Sequence, residues 1–404
     1  MAYEVISGGS NLSFGEGFSK SNMAFQLNDD YYLVVNIGTE NKSVWARVFF
    51  YNPAVHIYAS SNREVINSNN TLYMGAAMAA ADWFVVAYIT EASSITIHLK
   101  LFEITGAGYG VTEIEAITIT TTERVSNVRI TEIGGYHILS YIEGSGSTGK
   151  LILKSYRVDT VGVPAIIPKE TTIAYTKSMW LEVPFEVVML DATHFLLTHN
   201  SNLRYVDFID VWSINNSTAV MGLLSTRTLD SDEDGLGLCM INNQKFLGSG
   251  DTDLWSYDID GSFTITKIDS ASGHGNYLDI TNIATGYYVA VSKNTAEVFS
   301  TDISFYLTKD TTEPYFFADW SANCPNAVIY KDDATFLVFS KDSYYKSFIT
   351  TLNYANPPDP AGSMINIEGE WKDIDTAQIL VGGVWKDVDS IDIAVGGVWK
   401  KVTI

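Results

Sequence analysis

Apolar and polar positions alternate in short segments over the first 355 residues, and the segments recur as a unit. Each unit has an apolar segment such as TLYMGAAM, then a polar turn and an aromatic anchor that opens a second apolar segment, as in ADWFVVAY. Alternating segments such as ITIHLKLF and ITITTTE follow. A period of two residues is typical of strands, and helical periodicity is almost absent. The pattern predicts four antiparallel strands in each unit.

The unit occurs seven times, with histidine replacing the aromatic anchor once. The anchors are separated by 52, 53, 58, 51, 42 and 48 residues, and they are Tyr32, Phe84, His137, Phe195, Phe246, Tyr288 and Phe336. Four-stranded units at this period are typical of β-propellers. The sequence therefore predicts an all-β chain in which residues 1–355 form a seven-bladed β-propeller.

The ends of the predicted propeller must meet. The last unit supplies only three strands, at 325–330, 335–340 and 345–353. We expect residues 1–20, through a segment such as NLSFGEGF, to supply the missing strand, because closure removes exposed strand edges. The alternative role for residues 1–20 is a docking arm.

A second, shorter repeat occupies the C-terminus. A Pro-rich segment at 356–364 predicts a semi-rigid linker, and 14-residue repeats anchored by Trp371, Trp385 and Trp399 occupy residues 365–404. An even period keeps each Trp on the same strand face, and the Gly-Gly pairs favour two-residue hairpin turns. Three small hairpins bury little area alone, so we expect the Trp residues to mediate assembly with another copy or a partner. The alternative is a small monomeric β-meander.

Composition limits the partners. Hydrophobic residues make up 46% of the chain and aromatic residues 13%, enough for a large core. The formal net charge is −22, so most of the surface repels nucleic-acid phosphates and anionic lipid headgroups. The N-terminus lacks the regions of a signal peptide, and the most apolar stretch, 74–89, is too short to span a membrane. We expect synthesis in a cytoplasm, with no membrane insertion and no nucleic-acid partner.

One acidic segment resembles a calcium loop. Asp230, Asp232 and Asp234, followed by Gly235, match the opening D-x-D-x-D-G, in which alternate carboxylates converge on one cation. The match ends at Ile241, which occupies the position of the bidentate glutamate. Calcium is the one cofactor that the sequence suggests, and the alternative is a solvated acidic turn.

Catalytic signatures are missing from the sequence. It contains no G-x-S-x-G, P-loop or H-E-x-x-H motif. His194 and His199 are five residues apart, so on one strand they would point to opposite faces and would not share a metal. We therefore predict no enzymatic activity. The alternative is a propeller glycoside hydrolase or lyase that acts on surface polysaccharide, for which two carboxylates across a cleft suffice.

The GGVWKDV and GGVWKKV units resemble the short Trp-bearing repeats near the C-termini of many tailed-bacteriophage virion proteins, of the tail fibre, receptor-binding or minor structural type. This resemblance implies a virion structural or adhesion protein, assembled as a homo-oligomer or with other virion proteins through its C-terminal repeats. The propeller would then present a binding surface for host attachment, to a surface glycan or protein, or for another virion protein. The alternative is a purely architectural decoration protein of the capsid or tail.

Overall fold

The structure, a computed structural model, describes residues 3–5, residues 22–354 apart from loop segments such as 201–206, 231–237 and 317–326, and the strands between 364 and 403. From residue 310 onward the description covers the backbone alone. The described residues form strands and turns, without helices.

The strands of the first half of the chain are β1 (Tyr3–Val5), β2 (Asn22–Gln26), β3 (Tyr31–Ile37), β4 (Val44–Asn52), β5 (Ile57–Ser60), β6 (Glu64–Asn67), β7 (Thr71–Ala80), β8 (Trp83–Thr90), β9 (Ser93–Thr105), β10 (Gly110–Thr120), β11 (Arg124–Ile133), β12 (Tyr136–Ser145), β13 (Thr148–Asp159), β14 (Ala165–Trp180), β15 (Glu186–Asp191), β16 (His194–Asn200), β17 (Asp207–Ile214) and β18 (Met221–Thr228).

The strands of the second half are β19 (Leu238–Met240), β20 (Lys245–Ser249), β21 (Asp253–Ile259), β22 (Ile265–Ser272), β23 (Tyr277–Ala284), β24 (Tyr287–Ser292), β25 (Thr295–Thr301), β26 (Leu307–Lys309), β27 (Tyr315–Phe316), β28 (Ala327–Asp332), β29 (Thr335–Lys341), β30 (Ser347–Tyr354), β31 (Met364–Ile367), β32 (Glu370–Asp373), β33 (Ala377–Val381), β34 (Val384–Val388), β35 (Ser390–Val395) and β36 (Val398–Thr403).

Strands β1–β30 form antiparallel sheets that follow one another along the chain. Sheets 1 to 6 contain β2–β6, β7–β10, β11–β14, β15–β18, β19–β22 and β23–β27, and sheet 7 joins β28, β29 and β30 to β1. Sheets 1 and 6 carry a fifth short strand, β6 on β4 and β27 on β25. In sheet 7, Tyr3 lies opposite Tyr354. The N-terminal strand is therefore Tyr3–Val5, whereas the NLSFGEGF segment lies outside the described residues.

The sheets are arranged in a circle. The first strand of each sheet contacts the first strand of the next, in the order β2, β7, β11, β15, β19, β23 and β28, and β28 contacts β2 again. Successive four-stranded antiparallel sheets around a common centre characterise the β-propeller. The chain is thus all-β with a propeller-like fold, and the coarse fold prediction is confirmed. Among the described residues, no helix has the length and apolar character needed to cross a membrane.

The hydrophobic core is divided into layers between neighbouring sheets. Val85 of sheet 2 and Leu139 of sheet 3 belong to one buried cluster, and Leu153 of sheet 3 and Leu197 of sheet 4 belong to the next. Both faces of a sheet are therefore covered, which explains the nearly continuous apolar segments along the second strands.

The repeated anchors hold these layers. The six anchors with described side chains are at most 2% exposed. Each lies opposite an aromatic residue on the third strand of its sheet, and the pairs are Tyr32 with Phe49, Phe84 with Phe102, His137 with Tyr156, Phe195 with Trp212, Phe246 with Tyr257 and Tyr288 with Phe299. Directly opposed side chains share one face of a sheet, so each sheet buries a cross-strand ring pair against its neighbour.

The C-terminal repeats form three two-stranded antiparallel sheets, β31–β32, β33–β34 and β35–β36. Val381 lies opposite Val384, the register expected for a two-residue turn at the Gly-Gly pair. Trp371, Trp385 and Trp399 occupy the second strand of each hairpin. Their side chains lie outside the described part, so their role in assembly stays a prediction.

Candidate functional site

The first strands of sheets 2 and 3 approach each other closely at Gly75. A Cβ atom added to Gly75 would lie 2.8 Å from the Cα atom of Arg129. This distance is below ordinary van der Waals contact, so glycine is the residue that lets β7 and β11 pack side by side here. The packing brings the Arg129 side chain next to the backbone of sheet 2.

Arg129 is a half-buried cation on β11, between the buried residues Val128 and Ile130. Its Nη1 group donates to the carbonyl oxygens of Met74 and Val128, both at 3.4 Å. Burial lowers the pKa of the Arg129 guanidinium, and the nearby Glu186 carboxylate opposes that effect. A guanidinium carries five N–H donors, so these two long bonds leave donors for a ligand.

Glu186 begins β15, the first strand of sheet 4, and is also half-buried. Its Oε2 atom accepts a hydrogen bond from the backbone N–H of Leu238 in sheet 5, at 3.0 Å. Its own backbone N–H donates to Thr198 Oγ1 at 3.1 Å. The carboxylate is therefore held at the inner edge between sheets 4 and 5 and acts electrostatically on Arg129 of sheet 3.

Thr131 extends this polar strip. Its hydroxyl donates to the carbonyl oxygen of Val187 at 3.0 Å, which connects β11 to β15. Inner strands of four consecutive sheets thus meet around one guanidinium and one carboxylate. Such a pair can stabilise a developing oxyanion with the cation and remove a proton from water with the carboxylate.

Sheet 4 also contains a buried polar network. Asp210 accepts hydrogen bonds from Thr226 Oγ1 at 2.7 Å and from Trp212 Nε1 at 3.4 Å, and its Oδ2 atom lies 3.1 Å from His199 Nε2. The His199 and Asp210 side chains are 1% and 4% exposed. Buried polar groups that satisfy one another fix the register of strands, so we assign this network to the stability of the sheet.

Little of the predicted calcium loop falls within the described residues. Asp232 and Asp234 lie outside them. The Oδ2 atom of Asp230 lies 3.7 Å from Arg227 Nη2, and its side chain is 73% exposed. The described part of the chain contains no group of three potential metal ligands. Calcium at this loop stays a prediction.

The two histidines of β16 have separate partners, as their opposite faces require. His194 lies 2.9 Å from both oxygens of Asp191, whereas His199 lies beside Asp210. Sequence reasoning missed Arg129 and Glu186, although both occupy segments predicted as the strand before the polar turn of a unit, SNVRITEI and FEVVML. Glu186 is the one charge in the otherwise apolar segment FEVVML, which was an available signal, whereas SNVRITEI is mostly polar and gave none for Arg129.

Comparison with known proteins gives similarity of fold. No family model matches the chain, and no curated protein matches it. A crystal structure from Bacteroides fragilis, provisionally named a 6-phosphogluconolactonase, is similar at a TM-score of 0.57 with 11% identity, covering 81% of this chain and 95% of that one. A second structure with the same provisional name, from Bacteroides uniformis, has a TM-score of 0.57 with 10% identity and covers 80% and 95%. The periplasmic gluconolactonase of Pseudomonas aeruginosa has a TM-score of 0.51 with 12% identity and covers 72% and 85%.

These comparisons correct two expectations. The chain was expected to be a virion structural or adhesion protein and not an enzyme, whereas the structures that it resembles carry the names of lactonases. Both expectations are therefore wrong, and the enzymatic alternative is better supported. The binding surface of the propeller was inferred from 40 C-terminal residues, which carry no information about the site inside the ring. The resemblance of the GGVWK units and the expected partners stay predictions, and a virion location has no support.

Proposed function

We propose that this chain is a propeller hydrolase that opens the ester bond of a sugar lactone at Arg129 and Glu186. The observation that carries the proposal is the guanidinium and the carboxylate on adjacent inner strands, electrostatically coupled and both half-buried. The lactonase names of similar structures support the same chemistry.

In the proposed reaction, a water molecule transfers a proton to Glu186 as its oxygen attacks the lactone carbonyl carbon. The carbonyl oxygen becomes an oxyanion, which the Arg129 guanidinium stabilises in a partly desolvated site. The C–O bond of the ring then breaks, and the ring oxygen takes the proton back from Glu186. The product is a hydroxy acid, whose carboxylate is attracted to Arg129. A glycosidase would instead need two carboxylates about 5–9.5 Å apart.

We further infer that sheets 1 to 7 are the seven blades of one propeller. The circular order of the inner strands supports this inference, and the pairing of β1 with β30 supports closure of the ring by the N-terminal strand. The three hairpins after the linker would form the C-terminal module. A closed ring would hold Arg129 and Glu186 rigidly, because each inner strand is fixed by neighbours on both sides.

Hydrolysis of a gluconolactone and of its 6-phosphate, measured by acid release above the spontaneous rate, tests the proposal. Glu186→Gln keeps a carbonyl oxygen that can accept from Leu238 but cannot take a proton, so we expect kcat to fall by about 10²–10⁴-fold. Arg129→Met removes the oxyanion partner, and we expect a loss of about 10²–10³-fold. Arg157→Met, at an exposed ion pair with Asp159, is the control and should keep the full rate.

The rate at which the unmodified protein hydrolyses the two lactones tests the proposed function itself. If neither lactone is hydrolysed faster than in buffer, the proposed function is wrong. If both are hydrolysed and the Glu186 and Arg129 variants keep the full rate, the assignment of the site is wrong. The ratio of the two rates shows whether the substrate carries a phosphate.

A further inference from the structure

Three residues of sheet 4 form one cross-strand row outside the Arg129 and Glu186 site. Asp191 pairs with His194 between β15 and β16, and His194 pairs with Ser213 between β16 and β17. Directly opposed residues point to the same face, with Cβ atoms about 4.5–5.5 Å apart. The register therefore places a carboxylate, an imidazole and a hydroxyl side by side in that order.

Asp191 orients the imidazole of His194. His194 Nδ1 lies 2.9 Å from both Asp191 oxygens, so a proton on Nδ1 is shared with the carboxylate and Nε2 is left as the acceptor. Thr193 donates to Asp191 Oδ1 from its backbone N–H at 2.7 Å and from its hydroxyl at 2.9 Å. Burial acts against ionisation, but the hydrogen bonds from Thr193 and His194 outweigh it and lower the pKa of the Asp191 carboxyl. The ring of Phe263 from sheet 5 packs on the imidazole at 4.6 Å.

The row borders a pocket of about 870 Å³ that is open to solvent at the edge of sheet 4. His194 and Ser213 line it, together with residues 215–218 and 220 of the β17–β18 turn. Neighbouring sheet 3 holds this turn, since Tyr136 donates to the Asn216 carbonyl at 2.8 Å and Ser155 to the Ala219 carbonyl at 3.3 Å. Ala219 has a φ of +61°, a conformation that costs energy for a residue with a side chain and that these contacts maintain.

The hydroxyl of Ser213 lies beside a glycine. Its Oγ atom donates to the Gly222 carbonyl at 3.2 Å, and a Cβ atom at Gly222 would lie 3.5 Å from Oγ. Ser213 is half-buried and lines the pocket, and Gly222 places no side chain over its hydroxyl. Rotation about the Cα–Cβ bond of Ser213 would release the hydroxyl from Gly222 and turn it toward His194, its neighbour in the row.

We propose that Asp191, His194 and Ser213 form a second hydrolytic site that transfers an acyl group from an uncharged ester to Ser213. The Ser213 proton passes to His194 Nε2 as Oγ bonds to the ester carbonyl carbon, and the alcohol leaves with that proton. Water then attacks the acyl-serine with His194 again as base, which releases the acid and restores the serine. The net reaction consumes one ester and one water.

The pocket lining indicates the class of ester. Apart from His194, its described residues are hydroxyl, amide, apolar or glycine residues, without a further charged side chain. The exposed side chain of Val220 provides an apolar part that fits a short acyl chain. A charged substrate would find no counter-ion, so an uncharged ester is the matching ligand.

Reaction of the full chain with a fluorophosphonate probe, which modifies activated serines, tests this site. We expect one adduct per chain, located at Ser213 by peptide mass spectrometry and absent in Ser213→Ala. His194→Gln and Asp191→Asn should each slow labelling, the former by about 10²–10⁴-fold because the base is lost. Ser272→Ala, at an exposed serine of β22, is the control and should label at the unmodified rate. Melting curves establish that each variant is folded.

No adduct after prolonged exposure to millimolar probe would overturn the proposal. So would an adduct on another serine, or one at Ser213 that forms equally fast in folded His194→Gln and Asp191→Asn. The test is independent of the proposed lactonase, since Arg129→Met should label normally and the labelled protein should retain lactone hydrolysis. Loss of one activity therefore does not imply loss of the other.

Discussion

The packing of neighbouring sheets can be tested at two adjacent glycines in the β11–β12 turn. Gly134 and Gly135 have φ values of +57° and +86°, where a residue with a side chain is strained. A Cβ atom on Gly134 would overlap the carbonyl oxygen of Ala192, in the β15–β16 turn of sheet 4, and would lie 2.9 Å from its carbonyl carbon. A Cβ atom on Gly135 would meet nothing within 4 Å. The two positions thus share backbone strain but differ in contact.

We expect Gly135→Ala to lower the free energy of unfolding by about 1–2 kcal/mol, the cost of a left-handed conformation for alanine. Gly134→Ala adds the cost of forcing two packed turns apart, about 1–3 kcal/mol, for a total of about 2–5 kcal/mol. The gain that alanine brings by restricting the unfolded chain is the same at both positions and cancels in the comparison.

Urea unfolding followed by tryptophan fluorescence measures both variants against the parent. If the denaturant dependence is unchanged, the midpoint difference between the variants reports the contact with Ala192 alone. Equal destabilisation by the two substitutions would refute the reasoning, because the turns of sheets 3 and 4 would then not be packed as the structure has them.

Further outcomes follow from the buried polar groups and the acidic loop. Asp210→Ala should lower the free energy of unfolding by about 3–5 kcal/mol, because it leaves the buried donors around it unsatisfied, whereas Asp159→Ala at an exposed ion pair should cost less than about 1 kcal/mol in the same urea assay. Burial raises the pKa of Tyr141 and Tyr156 in the folded state. These tyrosines therefore ionise at lower pH in the unfolded chain than in the folded one. The free energy of unfolding should keep its full value below about pH 10 and fall as the pH rises above it. In the folded protein, tyrosinate absorbance should accordingly appear at a higher pH than in the unfolded chain. If the loop of residues 230–234 holds calcium, excess chelator should lower the melting temperature by mass action, and an unchanged curve would leave a solvated turn.

The sequence by itself determined the strands and the repeating unit. Alternation of apolar and polar residues is a local property, so the anchors from Tyr32 to Phe336 predicted where each second strand begins. The sequence also predicted the C-terminal hairpins, because each Gly-Gly pair lies directly between the two strands that it connects and the Trp residues recur every 14 residues. The aromatic residues that pair with the anchors lie in segments that were also predicted as strands. Which of them faces each anchor depends on the strand register, which the sequence pattern did not specify.

Only the tertiary structure decided which distant residues meet. The strand beside β30 is Tyr3–Val5, and nothing local distinguished it from the NLSFGEGF segment, because pairing between chain ends depends on how the ring closes. Arg129 and Glu186 lie in different repeats and come together because the inner strands of consecutive sheets converge. Asp191 and His194 are close in sequence, whereas Ser213 joins them through the register of β16 and β17. Periodicity specifies the face of a strand that a side chain occupies, and the packing of sheets around a centre specifies its neighbours.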